Sequence, residues 1–204
     1  IRGQRGLNYG AYAYTEHFTQ EGWSRYPLPN DSRRQQYFSI WLRPLRPETA
    51  HFAIRLAVRE LRRLVEEGLT QADLDHVRTF ADSYYSLYLQ TASRRIGFAM
   101  DDAFYGADAP YLERLRAGWR ALDAEQLNAA IRRHLHLEHL SIAIVASEGE
   151  RLAAAIANET ESPVTYEATV PSSVTEEDRA IVAYPLGIPR ERIRVVPLAR
   201  MFAE

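Results

Sequence analysis

Arg2 and Tyr9 stand seven residues apart in the opening segment Ile1-Arg2-Gly3-Gln4-Arg5-Gly6-Leu7-Asn8-Tyr9-Gly10. A guanidinium ahead of a turn and a phenol on the strand that follows can converge on one point. There they would hold a carbonyl oxygen or a carboxylate. Each also has a plain structural reading: Arg2 as the last-turn cation of a helix, Tyr9 as a strand aromatic. Arg5 is a rival for Arg2 but lies only four residues from Tyr9, and its part is a supporting one at most. Glu16 and His17 read as a surface pair. Asp101 and Asp102 are adjacent on a helix and point in different directions, which makes a solvated face rather than a paired acid and base. Tyr84, Tyr85, Tyr88, Tyr105 and Tyr111 either line a binding chamber or pack half-buried with their hydroxyls at the rim.

The elements that must position these groups belong to a chain of 204 residues, 46% hydrophobic and 25% charged, enough for one ordinary domain with its core. A net charge of −2 gives no global argument for nucleic acid or an anionic membrane. All 25 basic residues are Arg, which is read as coding bias of the kind a GC-rich bacterium imposes. With no Cys, disulfides, thiolate metal sites and cysteine nucleophiles are excluded. No apolar run approaches the ~18 residues needed to span a membrane. The chain begins with Ile inside what reads as a helix end, so it is expected to be a segment of a longer protein.

Residues 9–18 alternate small or polar with aromatic and predict a strand. Residues 19–34 have the composition of a loop, and 37–42 predict a second strand, antiparallel to the first. Pro47 opens a long helix. Ile54, Ala57, Val58, Leu61, Leu64 and Val65 form its apolar stripe, and Arg55, Arg59, Arg62, Arg63, Glu66 and Glu67 fill the other side. Gly68 ends it. Thr70 and Asp73 make a capping box for a helix running to about residue 90. Helices follow over 93–105, 110–120, 123–134 and 150–157, the third capped by Asp123. Residues 140–145 predict a buried strand. A short helix near 176–183 and a last strand over 193–197 complete the reading.

Two stretches carry a resemblance. Arg2 to Tyr9 reads R-x-x-x-G-L-x-Y, and Glu60 to Leu74 reads E-L-R-R-L-V-E-E-G-L-T-Q-A-D-L. Both resemble the non-catalytic half of the insulinase/pitrilysin family of zinc metallopeptidases, the inverted zincins, to which mitochondrial processing peptidase also belongs. Asp73 stands where that family usually has Glu. The order strand, strand, long helix, Gly-Leu-Thr turn, long helix, further helices and strand is similar to the family's from residue 2 to 146. The resemblance implies an α+β fold, a mixed and largely antiparallel sheet with helices on one face, whose first helix and strands lie before Ile1. Residues 1–158 would be this partial domain, and 159–204 a C-terminal extension completing or flanking it.

The family's zinc half needs H-x-x-E-H on a helix: two imidazole ligands, a Glu that activates water, and a later Glu ligand. This chain lacks it. The nearest string, His134-Leu135-His136-Leu137-Glu138-His139, has the wrong spacing and falls where a helix hands over to a strand, so its histidines read as solvated turn residues. The resemblance therefore implies that zinc is held elsewhere, by an H-x-x-E-H domain of the same polypeptide or by the other subunit of a dimer. Arg2 and Tyr9 would reach across toward it as substrate-binding and catalytic residues, holding a peptide substrate and the developing oxyanion. The segment alone is expected to be inactive. The alternative is an inert scaffold of the same fold, as in the core proteins of the cytochrome bc complex. A zinc enzyme built on residues 134–139 is the remaining and weaker reading.

Overall fold

The computed structural model describes residues 1–15 and 37–201. Glu16, His17, the loop expected over 19–34 and the end of the first predicted strand lie outside those residues. The fold is mixed α+β: the described residues form eight helices and a two-stranded antiparallel sheet. The chain divides into two compact units, one of Ile1–Tyr14, Ser39–Arg63 and Leu137–Glu204, the other of Thr15–Phe38 and Leu64–His136.

The first unit is built on α2 (Pro47–Glu67). Phe52 and Leu56 pack with Ile181 of α8 (Ser172–Val182), and Ile1, Leu7 and Val164 close over them. Ile54 and Val58 point to another side, where Ile156 of α7 (Gly149–Ala157) and the half-buried Tyr184, Leu186, Ile188 and Ile193 cover them. A helix apolar on more than one side is a core helix, and that corrects one expectation. Arg55, assigned to the solvent side, is fully buried. It lies between the two clusters, where its guanidinium donates to Ser162 Oγ at 3.0 Å, to the Val182 carbonyl oxygen and to Glu159 Oε2 at 3.1 Å. Glu159 in turn accepts from the Leu186 and Gly187 amides at 2.9 and 2.7 Å. A buried guanidinium needs acceptors of this kind, and here both terminal nitrogens have them while the buried Nε has none among the described residues.

Also in this unit are α1 (Arg2–Arg5) and most of the sheet formed by β1 (Gly10–Thr15) and β2 (Phe38–Arg43). Two predicted strands are not strands. Residues 140–145 join no sheet among the described residues, and Leu140, Ile142, Ile144 and Val145 are exposed, Val145 by 99%. Residues 193–197 likewise form no strand. Strand pairing is non-local, so an apolar run becomes a buried strand only where neighbours lie alongside it.

Apart from Thr15 and Phe38 of the sheet, the described elements of the second unit are helices. Gly68, at φ 75, turns the chain out of α2, and Asn128 spans Leu69, accepting from its amide at 2.8 Å and donating to its carbonyl at 2.9 Å. The capping boxes expected at Thr70/Asp73 and Asp123/Gln126 open α3 (Gln71–Tyr88) and α6 (Ala124–His134). Thr91 caps α4 (Ala92–Phe104). Between α4 and α6, α5 (Tyr111–Ala121) is tied to α3 by Arg116 and Arg120 on Asp82, at 3.0 and 2.9 Å.

Candidate functional site

The site is set by what anchors the first ten residues. The one-turn helix α1 ends on Gly6, left-handed at φ 59, whose amide donates to the Arg2 carbonyl at 3.0 Å. That turn favours glycine because a Cβ is strained there. On the inward side, Arg5 is buried and pairs with Glu177 at 2.6 Å and Asp178 at 2.9 Å on α8. Hydrogen bonding to Arg5 holds the Glu177 carboxyl below the usual carboxylate range. Tyr166 adds its hydroxyl to Asp178 at 2.6 Å. Leu7 enters the Phe52 cluster. Asn8 is buried, with Nδ2 donating to the Gly10 carbonyl at 2.7 Å. At Gly10 a Cβ would lie 2.6 Å from the Tyr12 ring and 2.9 Å from the Arg43 carbonyl, so the strands approach too closely for a side chain.

With Arg5, Leu7, Asn8 and Gly10 turned inward, Arg2 and Tyr9 are left outside. Tyr9 is 72% exposed, and the Arg2 guanidinium carbon lies 4.7 Å from the centroid of its ring. The two predicted site residues are therefore brought together. The aromatic face fixes the guanidinium by a cation–π contact and leaves a phenol and a cation beside one another at the surface, a donor pair suited to a carbonyl oxygen or carboxylate. Arg5, the sequence rival, is spent on α8 and is not at this surface.

The other candidates are not part of it. His134 ends α6, and Glu138 and His139 lie in the separate turn Leu137–His139, all three exposed. Among the described residues no three of His, Asp and Glu are gathered closely enough to hold a metal ion. Asp102, expected on a solvated face, accepts from the Tyr111 amide, the first of α5, at 3.0 Å. Tyr85 is buried, with Arg116 at 4.7 Å from its ring and Trp119 edge-on at 6.1 Å. Tyr84 and Tyr88 are half-buried and meet edge to face at 5.5 Å, while Tyr105 is exposed.

One buried group had no signal in the sequence. His51, in the first turns of α2, is 7% exposed, and its Nε2 has no hydrogen-bond partner. Burial, helped by the nearby Arg55 charge, lowers its pKa to about 4. It is a neutral core histidine.

No helix among the described residues is long and apolar enough to cross a membrane. The chain matches no protein-family model, no curated protein and no solved structure.

Proposed function

We propose that this chain is the non-catalytic half of a zinc-dependent peptidase, part of an α+β metallohydrolase domain whose sheet is completed by strands outside the described residues. The observation that supports it most is the Arg2–Tyr9 pair: the two residues of the R-x-x-x-G-L-x-Y motif meet at 4.7 Å on an exposed surface, while Arg5, Leu7 and Asn8 between them turn inward. The sequence has no H-x-x-E-H, so zinc, its ligands and the general base are assigned to another domain or a partner subunit that carries it. Bound there, zinc supplies Lewis acidity and an activated water.

The residues of this chain then bind and orient. The exposed edge of the β1 region receives an extended peptide. Tyr9 Oη donates to the scissile carbonyl oxygen, and the contact strengthens as that oxygen gains charge. Arg2, held against the ring, donates to the same oxygen or to the neighbouring substrate carbonyl. Donors placed beforehand in this way need little reorganisation when the charge develops.

The test is peptide hydrolysis by the intact assembly, comparing wild type with Tyr9→Phe. Loss of one such donor is expected to lower kcat by about 10²–10³-fold, with zinc content and folding unchanged. Equal activity in both would make the chain a structural half, and an assembly without zinc or activity would make it an inert scaffold.

A further inference from the structure

Tyr9 is 72% exposed, so core packing does not set the direction of its side chain. That direction has to come from the backbone beneath it. Residues 7–9 lie between two regular elements, after the Gly6 turn that ends α1 and before β1 begins at Gly10. Among the described residues, no backbone hydrogen bond outside the helices and strands involves Asn8 or Tyr9. The last one ahead of them runs from the Leu7 amide to the Ile1 carbonyl and is long, at 3.4 Å. The bond that crosses Tyr9 is made by a side chain instead. Asn8 Nδ2 donates to the Gly10 carbonyl at 2.7 Å and closes a loop of backbone with Tyr9 at its middle.

Both ends of that loop are fixed. Asn8 is only 9% exposed, and Gly10 sits so close to β2 that a Cβ there would lie 2.9 Å from the Arg43 carbonyl. Glycine is the most permissive residue, so a restraint beside Gly10 does more to hold Tyr9 than it would beside any other. The residue type at position 8 points the same way. A carbonyl is bonded only by a donor, which the amide supplies. Its other end, Oδ1, is buried with no partner among the described residues, and a buried acceptor left unpaired destabilises the fold. An apolar side chain of the same outline avoids that cost. Stability alone therefore does not account for an amide here, whereas the hold on Gly10 does. A local rule broken in this way is expected at a functional site.

We propose that Asn8 is a positioning residue for the Arg2–Tyr9 pair: its amide fixes the backbone on both sides of Tyr9, so that the phenol stands outward with the Arg2 guanidinium against its ring. Asn8 is buried and acts on a bound peptide only through Tyr9. Its effect on catalysis rests on the peptidase reading, but its effect on the pair does not.

The Tyr9 ring shifts the side-chain proton resonances of Arg2 upfield. NMR of the labelled intact protein reads that shift, with Tyr9→Leu as its zero. Asn8→Leu and Asn8→Ala both lack the donor, and both are expected to lose most of the shift. Asn8→Leu is expected to melt within about 4 °C of wild type, and Asn8→Ala, which also leaves a cavity, at a lower temperature. Leu7→Ala takes packing from the Phe52 cluster and no hydrogen bond, so it is expected to melt lower and keep the shift. In the zinc-bearing assembly, Asn8→Leu is expected to lower kcat about tenfold or more with KM little changed, the mark of a misplaced donor. A full shift in Asn8→Leu, or a shift lost equally in Leu7→Ala, would overturn the proposal. So would an Asn8→Leu assembly as fast as wild type where Tyr9→Phe is disabled. If the shift moves as expected while Tyr9→Phe hydrolyses peptides as fast as wild type, the peptidase reading fails and the positioning role stands.

Discussion

Arg5 carries its charge into the first unit because Glu177 and Asp178 meet it there at 2.6 and 2.9 Å. Removing the cation alone leaves Asp178 buried with only the Tyr166 hydroxyl for company. Arg5→Met is therefore expected to cost about 3 kcal/mol, the low end for a broken buried pair because Glu177 keeps some water. Chemical denaturation at neutral pH reads this, and a loss under about 1 kcal/mol would mean that the carboxylates are solvated. His51 gives the pH dependence. Its folded pKa of about 4 lies below the ordinary value of 6.5, so the unfolded chain binds the extra proton between those two values. Stability is then complete above about pH 6.5 and falls as pH drops toward 4. About 2 kcal/mol should go between pH 7.5 and 5, and His51→Leu should remove most of that slope. A wild-type slope equal to the variant's would place His51 in water. At this scale the meeting of Arg2 and Tyr9 was legible, because a residue ahead of a turn and one on the strand that follows can converge, and the two lie in contact. Arg55 and His51 were not. Helical periodicity assigns a face by residue type, and neither side chain announces that residues 159–187 will surround α2.

Helix boundaries follow local chemistry, and they were the most legible part of the fold. Thr70 with Asp73, Asp123 with Gln126 and the left-handed Gly68 each satisfy the end of a helix with residues a few positions away. Asp123→Ala is expected to lose about 1 kcal/mol, the ordinary value of an N-cap. Gly68→Ala should lose more, roughly 1–3 kcal/mol. There φ stays positive and the new Cβ meets the Asn128 amide at 2.7 Å. Thermal melts of the two variants rank them, and a Gly68→Ala protein as stable as wild type would show that the turn relaxes freely. Strands were the opposite case. Residues 38–43 pair as expected with β1. Residues 140–145 have a clearer apolar pattern, yet no ladder, since period and propensity report only that a strand would be welcome there.

At the scale of the molecule, the sheet is the element out of proportion. Two strands alone are marginal in water and gain stability from further strands or a covering helix. Here Tyr12, Phe38, Ile40 and Trp41 are exposed on that sheet, while residues 140–145 of the first unit are largely apolar, exposed and outside any ladder among the described residues. Among the described residues none of the amides of residues 141–146 donates to a backbone carbonyl. Backbone groups left open beside exposed apolar side chains form an edge that another strand can complete. On the proposed reading of residues 2–146 as half of a metallopeptidase domain, both features have one cause: their neighbours would be the strands that the resemblance implies ahead of Ile1. Hydrogen exchange separates this from an irregular surface segment. In this chain on its own, amides 141–146 should exchange almost as fast as an unfolded peptide, while those of α2 are protected by the global stability. In the complete assembly the same six should slow by about 10²-fold or more, the mark of a ladder worth at least about 3 kcal/mol. Slowing confined to α2, with residues 141–146 fast in both forms, would leave the segment a surface loop and remove the structural case for a larger sheet.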